Sequence, residues 1–143
     1  MKRILSTAAL LAVTLIAPLA QGQVKKSEVP GVTNFAQVET TVACAGAVTP
    51  SSVAGIKRMG FASIINLRLA DEKGADIDAE AAAAKEAGIA FVHIPMNGAK
   101  PDPAVADKFM QTITSPGTSP AFIHCASGNR AAAMWMIKRG LVD

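Results

Sequence analysis

The chain has 143 residues, of which 50% are hydrophobic, 17% charged and 4% aromatic; this suits one domain with a sizeable core and excludes intrinsic disorder. The net charge is +3, and Lys2 and Arg3 supply two of these charges. The rest of the chain is near neutral, has few aromatic residues and has no tyrosine, which argues against nucleic acid as a partner.

The N-terminus has the three-part pattern of a secretory signal peptide. Lys2 and Arg3 form a positive end, residues 4–17 form an apolar stretch, and Ala20 and Gly22 are the small residues that a signal peptidase reads. We expect cleavage after Gly22 and export to an oxidising compartment, either a bacterial periplasm or the medium. The alternative is an uncleaved membrane anchor, although a membrane span needs about 20 residues. After cleavage, no membrane partner is expected.

Strand and helix patterns alternate along the remaining chain. Residues 23–32 are polar and predict a flexible lead-in to one domain over residues 33–143. The predicted elements, in chain order, are a strand over Val38 to Cys44, a helix over Pro50 to Met59, a strand over Ala62 to Leu67, a helix over Asp76 to Ala87, a strand over Ile89 to Ile94, a helix over Pro103 to Thr114, a strand over Ala121 to His124 and a helix over Gly128 to Arg139. This order predicts an α/β fold in three layers, with a central, mostly parallel sheet flanked by helices.

Ligands of such sheets bind beyond the carboxyl ends of the strands, here termed the carboxyl edge. Three predicted loops, residues 68–74, 95–101 and 125–129, lie at that edge. Any chemistry is therefore expected where these loops meet. Arg68 begins the first of them and is predicted either to face a bound anion or to form a surface salt bridge.

The most informative segment is the cysteine loop, residues 125–130, which follows the strand ending at His124. Cys125 ends the apolar run, Gly128 permits a tight turn, and Arg130 opens a helix. Loop amides and a helix N-terminus can surround an anion, and an arginine can donate two parallel hydrogen bonds to it. The same positive field is expected to lower the pKa of Cys125, which would equip its thiolate to attack an anionic electrophile. A buried structural cysteine before an ordinary helix is the alternative.

The segment from His124 to Arg130 resembles the signature loop of cysteine-dependent protein phosphatases. From about residue 33 to its end, the chain is similar to bacterial dual-specificity-phosphatase-like domains, the beta-lactamase-hydrolase-like (DUF442) family. The matching segments are Thr33-Asn34-Phe35 with Val38, Gly46, Thr49-Pro50, Gly60-Phe61, Ile64 to Arg68, Gly88-Ile89, His93-Ile94-Pro95, His124 to Arg130 and Met134-Trp135.

This resemblance implies a cysteine-phosphatase-like fold and hydrolysis of phosphate monoesters through a cysteinyl-phosphate. Cys125 would attack phosphorus, Arg130 would bind the equatorial oxygens, and His124 would orient the loop and help the thiolate form. The remaining oxygens would be held by the backbone amides of Ala126, Ser127, Gly128, Asn129 and Arg130. The ligand would be a phosphate monoester or another small oxyanion, and no cofactor is implied. Two histidines and two cysteines without close spacing also argue against a zinc site.

Three positions differ from the usual phosphatase pattern. Four residues separate Cys125 from Arg130, one fewer than usual, and Ala131 stands where a serine or threonine commonly eases departure of the cysteine. Asp102 is the only acid on the loop where the general acid is expected. Because four residues is also the spacing of rhodanese sulfurtransferases, sulfur transfer or persulfide handling at Cys125 is an alternative. A non-catalytic anion-binding module is another.

The general acid has more than one candidate. Asp102 has the competing role of N-cap for the helix that starts at Pro103. Asp71 and Glu72, on another loop of the carboxyl edge, are expected to be solvated, with a substitute acid as the alternative. His93 is expected to pack within its strand rather than to bind a ligand.

The second cysteine, Cys44, is expected to be a buried apolar residue. In an exported protein, a disulfide or a resolving pair with Cys125 is the alternative. Trp135, on the last helix, is expected to pack in the core. Similar domains continue into at least one more helix, so this domain is expected to lack a C-terminal helix. The sequence leaves the oligomeric state open.

Overall fold

The computed structural model describes residues 24–140, so the predicted signal peptide lies outside the described residues. In this range, six strands form one sheet and four α-helices flank it. The strands are β1 (Lys25–Lys26), β2 (Ala36–Glu39), β3 (Val42–Ala45), β4 (Ser63–Asn66), β5 (Ala90–His93) and β6 (Ala121–His124). The helices are α1 (Val53–Arg58), preceded by a 3-10 turn (Pro50–Ser52), α2 (Ile77–Ala87), α3 (Pro103–Ile113) and α4 (Asn129–Lys138).

The strand order is β1-β2-β3-β6-β4-β5. The strands β3, β6, β4 and β5 run parallel, whereas β1 and β2 pair antiparallel at one side. This arrangement confirms the predicted α/β class with a mostly parallel central sheet. The order also places β6, which leads into the cysteine loop, between β3 and β4 in the middle of the sheet.

Side chains of the central strands alternate between two apolar layers, because successive residues of a strand point to opposite faces. On one face, Phe122 packs in a cluster with Ile56 of α1. On the other face, Ile123 packs with Phe109 of α3 and Met134 of α4. All five side chains are at most 2% exposed, so the helices cover both faces of the sheet.

Helix ends follow the predicted local signals. The Asp76 carboxylate accepts a hydrogen bond from Ala79 N (3.0 Å) at the start of α2, and Gly88 ends that helix with a left-handed φ of 66°. Asp102 caps α3 by accepting from Ala104 N (2.9 Å), and Pro103 occupies the first turn. These local interactions explain why the predicted helix boundaries agree with the structure to within one or two residues.

Two predicted strands need correction. The single strand predicted over Val38 to Cys44 is wrong: residues 40–41 form a turn that separates β2 from β3. The Gln37 side chain supports this turn by donating to the backbone oxygens of Glu39 and Val42. The strand predicted as buried over Ile89 to Ile94 is instead an edge strand, β5, with partly exposed side chains.

The lead-in differs from the flexible segment that the sequence predicts. Lys25 and Lys26 form β1 and pair with β2, and Val32 bridges to both Val29 and Val48. This segment is therefore attached to the sheet next to the cysteine loop. Over residues 24–140, none of the helices combines the length and the apolar character needed to cross a bilayer.

Candidate active site

The cysteine loop leaves β6 at the carboxyl edge and is held against the end of β3. Cys125 N donates to Ala45 O (3.2 Å), and Ala47 N donates to Ala126 O (2.9 Å). The two segments approach so closely at Gly46 that a Cβ there would lie 3.0 Å from Ala126 O and 3.1 Å from the Ser127 carbonyl carbon. The loop can therefore lie this close only because residue 46, directly after β3, is a glycine.

Backbone amides surround the sulfur of Cys125. Gly128 N lies 3.1 Å from Sγ, and Gly128 adopts a φ of +100°, which favours glycine. Burial raises the pKa of the Cys125 thiol, but the N–H groups of Ala131, Gly128, Ser127 and Arg130 stabilise the thiolate. The net effect is a pKa below the ordinary value of a cysteine. At a given pH, a larger share of Cys125 is therefore thiolate than in an ordinary cysteine.

Asn34 fixes the outer side of the loop. Its Nδ2 donates to Ser127 O (2.9 Å), and its backbone has a positive φ of 50°. Beside this contact, a cleft of about 1300 Å³ opens between the lead-in and α4, and its wall includes Ser127, Asn129 and Trp135. The sequence indicates Asn34 only as part of a segment that matches the phosphatase-like family, because no local pattern predicts a contact with a residue 93 positions away.

Arg130 is fixed in the loop by three groups from other elements. Nη1 donates to Met96 O (2.8 Å) and Leu67 O (3.2 Å), and the two Nη atoms donate to the two carboxylate oxygens of Glu72. The hydrogen bond from Arg130 holds the pKa of Glu72 at about 2, against the effect of burial, with help from Leu69 N. In turn, Glu72 raises the pKa of Arg130. The guanidinium is thus charged and oriented.

The expectation that Glu72 is solvated is wrong. Its side chain is 20% exposed and forms the ion pair with Arg130. With a pKa of about 2, Glu72 is ionised near neutral pH and holds no proton to donate, so it is not the substitute general acid. Asp71, its neighbour, is exposed as expected.

Arg68 shapes the loop that carries Glu72. It is only 4% exposed, and Nη1 and Nη2 donate to Gly74 O (3.0 Å) and Lys73 O (2.8 Å). Its Nε lies 3.3 Å from Glu72 Oε2, so Arg68 forms a partly buried ion pair rather than the surface salt bridge that was one expectation. All three nitrogens of the guanidinium contact the protein, so Arg68 is engaged in holding this loop. His93 Nε2 contacts Arg68 O at 2.7 Å, in agreement with the structural role expected for this histidine.

His124 faces away from the cysteine, on the α1 and α2 side of the sheet. It is fully buried, and its Nε2 lies 2.7 Å from Oε1 of Glu80, a residue of α2 that is 3% exposed. The other oxygen of Glu80 accepts from Asn66 Nδ2 (2.9 Å). Sequence reasoning missed Glu80, because a glutamate on an alanine-rich helix carries no local sign of burial.

Asp102 is exposed and serves as the N-cap already described. The loop before it packs on Arg130, since a Cβ at Gly98 would lie 3.5 Å from Arg130 Cγ and Cδ. Asp102 therefore follows a loop that borders the site, without a described contact to Cys125. Within residues 24–140, no three His, Cys, Asp or Glu side chains cluster as metal ligands.

Cys44 lies beneath the site on β3. It pairs in register with Ile123, so its side chain and that of Cys125, two residues after Ile123 and just past the end of β6, lie on the same face. Both cysteines are free and buried. Burial raises the pKa of Cys44 to about 12, with further contributions from the negative charges of Cys125 and Glu39. The structure thus places Cys44 as a buried thiol, in agreement with the expectation.

The fold and the loop together define a class: α/β proteins with a cysteine and an arginine on one loop at the carboxyl edge of a central sheet. Within this class, the chain belongs to the family described as beta-lactamase hydrolase-like protein, phosphatase-like domain, whose model matches residues 34–142. This confirms the resemblance to the DUF442 family. A beta-lactamase hydrolase-like protein from Xylella fastidiosa (strain Temecula1) is 31% identical over 102 residues, which cover 70% of this chain and 23% of that protein. The chain thus spans about a quarter of that relative's length.

Solved structures share the fold. A DUF442 protein from Shewanella putrefaciens CN-32 has a TM-score of 0.70 at 23% identity, covering 78% of this chain and 72% of that one. The catalytic core of the PP-IP phosphatase SIW14 from S. cerevisiae has a TM-score of 0.64 at 20% identity, covering 80% and 70%. TpbA from P. aeruginosa, in a complex with pTyr, has a TM-score of 0.64 at 17% identity, covering 87% and 74%. These likenesses establish a cysteine-phosphatase-like fold.

Proposed function

We propose that the protein is an exported cysteine-dependent phosphatase that hydrolyses phosphate monoesters. The observation that carries this proposal is the Cys125 sulfur, stabilised as a thiolate by loop amides and adjacent to a fixed Arg130. Such a site combines a nucleophile with donors for the charge of a transferring phosphoryl group. The pTyr complex of TpbA and the PP-IP phosphatase activity named for SIW14 support a phosphoryl ligand for this fold.

The proposed reaction has two steps. The thiolate of Cys125 attacks phosphorus, the bond from phosphorus to the ester oxygen breaks, and the leaving oxygen takes a proton. Water then attacks the cysteinyl-phosphate and gives up a proton to the group that protonated the leaving oxygen, the sulfur–phosphorus bond breaks, and inorganic phosphate and the thiolate are released. Since residue 131 has no hydroxyl, the departing sulfur relies on backbone donors, among them Ala131 N–H.

Asp102 is the proposed proton donor to the leaving group, because it follows the loop that packs on Arg130. In that role, Asp102→Asn slows hydrolysis of phenyl phosphate more than that of p-nitrophenyl phosphate, whose leaving group needs no proton. An equal effect on both substrates assigns Asp102 to capping alone. Asp71→Asn is the control, since Asp71 is an exposed acid on the loop that carries Glu72.

The central test is hydrolysis of p-nitrophenyl phosphate by the reduced protein, with and without vanadate. Cys125→Ser is expected to lower kcat by at least about 10³-fold, because it removes the nucleophile. Cys44→Ala is the matched control on the neighbouring strand and is expected to retain turnover. Turnover that survives in Cys125→Ser, or no turnover in the reduced wild type, would contradict the proposal.

Sulfur transfer at Cys125 is the second candidate, and the four-residue spacing to Arg130 favours it. With thiosulfate as donor, the thiolate would attack the outer sulfur, release sulfite and retain a persulfide. Mass spectrometry of the protein after thiosulfate treatment tests this directly. A gain of one sulfur atom on Cys125, without phosphatase turnover, would establish this activity instead.

Export rests on the N-terminal pattern of residues 1–22. If the leader functions, the protein recovered from the periplasm or the medium begins at Gln23, which N-terminal sequencing would detect. A mature protein that retains residues 1–22 in the membrane fraction would support the anchor alternative.

A further inference from the structure

We propose that Glu80 is a positioning residue of the cysteine site, acting through His124 and Asn66 on both the nucleophile and the anion-binding arginine. The inference rests on the proposed function, because it concerns the same thiolate. Glu80 is a carboxylic residue on a helix otherwise rich in alanine, and it is 3% exposed. Its side chain forms hydrogen bonds with Asn66 and His124, so neither of these partners is a lysine or an arginine that would balance its charge.

Placing a carboxylate there is costly unless its oxygens are hydrogen-bonded. A residue such as Ala84, one turn further on, fills the same face with apolar atoms. Stability alone therefore does not account for Glu80. Its two hydrogen bonds instead indicate a role in fixing the orientation of polar groups, as buried polar networks do when they are fully connected.

Glu80 joins the ends of two central strands. Asn66 is the last residue of β4 and His124 the last of β6, and the two are register partners in the parallel pairing. Their successors enter the loops of the site: Leu67 N donates to His124 O (2.9 Å), and Cys125 follows directly. One carboxylate thus fixes both strands where the loops begin.

The connection continues from Asn66 to the arginine. Asn66 Oδ1 accepts from Arg68 N (2.8 Å), and the Arg68 side chain binds the loop that carries Glu72. Glu72 in turn fixes Arg130. A continuous series of hydrogen bonds therefore leads from the residue before Cys125, through Glu80, to Arg130.

The chemistry of the carboxylate matters to this series. A carboxylate accepts at both oxygens, so Asn66 Nδ2 and a proton on His124 Nε2 are satisfied together. An amide in its place accepts at one atom and donates at the other, so Glu80→Gln must reverse or lose one of the two bonds. His124 Nδ1 has no hydrogen-bond partner within the described residues, which leaves Glu80 as the group that sets the proton position on this ring.

The expected effect is on the thiolate of Cys125. A loosened His124 releases the start of the loop, weakens the amide bonds to sulfur and raises the pKa of Cys125. Loss of the negative charge of Glu80 acts in the opposite direction, but Glu80 lies across the sheet from the sulfur, whereas the amides touch it. The titratable or charged groups that the structure couples to this sulfur are Cys44 from β3 and Arg130 from α4, with Glu72 behind the arginine.

The test compares Glu80→Gln with Glu86→Gln, which removes a charge from an exposed position of the same helix. The pKa of Cys125 is read from the ultraviolet absorbance of its thiolate, and folding is checked by thermal unfolding. We expect Glu80→Gln to raise this pKa by at least one unit, which is a tenfold change in the acid dissociation constant of the thiol, with no change in Glu86→Gln. An unchanged or lowered pKa in a folded Glu80→Gln protein would overturn the proposal, even if stability falls.

A second measurement is made on the wild-type protein, so it does not require that a Glu80 variant folds. The chain has two histidines, so nitrogen-15 spectra of their rings are simple to assign with His93→Gln. The proposal requires a proton on Nε2 of His124 in the wild type, and an unprotonated Nε2 would refute it. Neither measurement needs substrate turnover, so a failed phosphatase assay and a failed Glu80 test are distinguishable.

Discussion

Cys44, on β3, and Cys125, just past the end of β6, lie on the same face of the sheet, and both are buried. Even so, their pKa values are shifted in opposite directions. Burial raises the pKa of Cys44 to about 12, whereas that of Cys125 falls below its ordinary value. Burial disfavours the charged form of both thiols. The difference is that Cys44 lies within a strand, whose amides bond to neighbouring strands, while Cys125 begins the cysteine loop, whose amides converge on its sulfur.

The largest expected effect is the difference in reactivity between these thiols. At pH 7, we expect iodoacetamide to alkylate Cys125 at least about 100-fold faster than Cys44, because the pKa of Cys125 is below its ordinary value and that of Cys44 is raised to about 12. Peptide mapping of the alkylated protein measures both rates in one sample. Comparable rates would mean that the loop amides do not stabilise the thiolate.

A smaller effect is expected when Arg130 loses its partner. Glu72→Gln replaces the carboxylate that fixes both Nη atoms, so vanadate or phosphate should bind about tenfold more weakly, while alkylation of Cys44 stays the same. Isothermal titration calorimetry measures this affinity. Asp71→Asn, at the exposed neighbour, provides the control. Unchanged affinity in Glu72→Gln would show that the arginine needs no carboxylate to hold it.

The same pair predicts a pH dependence of stability. The pKa of Glu72 is lowered to about 2 in the folded protein from a reference value of 4.5. Its contribution to stability is therefore present above pH 4.5 and is lost as the pH falls through about 2. The difference in Tm between wild type and Glu72→Gln should shrink over this range.

A loss of stability is expected from crowding the cysteine loop at Gly46, the residue that follows β3. In Gly46→Ala, the new methyl group would overlap Thr33 Oγ1 and would lie 3.0 Å from Ala126 O, so the loop must shift. We expect a loss of about 1–3 kcal/mol in the free energy of unfolding and a raised pKa for Cys125. Gly55→Ala is the control, because its nearest neighbour would be 3.8 Å away. If Gly46→Ala keeps the wild-type pKa of Cys125, the position of the cysteine loop does not determine the acidity of this thiol.

The helices and the cysteine loop were predicted well, because the signals for them lie within short stretches of the sequence. Caps such as Asp76 and Asp102 act within a few residues, and the cysteine loop is one short segment. The turn between β2 and β3 escaped prediction because residues 39–42 contain no glycine, asparagine or proline to mark it.

The acidic partners of the site could not be found in this way. Glu72 meets Arg130 across 58 residues, and Glu80 meets His124 across 44. An acidic residue near a loop or on an alanine-rich helix resembles any solvated charge until the fold places it. Spacing within one element carries no information about such pairs.

The way in which Arg130 is held limits the shape of the ligand that it can bind. An arginine has five N–H donors; Nη1 is occupied by two backbone oxygens and Glu72, and one Nη2 proton also meets Glu72. Among the described contacts with oxygen atoms, this leaves Nε–H and the second Nη2–H, which form one straight edge of the planar group; the guanidinium also has a hydrogen bond with the Cys125 sulfur. Under the proposed function, a ligand that uses both donors presents two oxygens side by side to this edge. Its rotation about the sulfur axis would then be set by the orientation of Arg130.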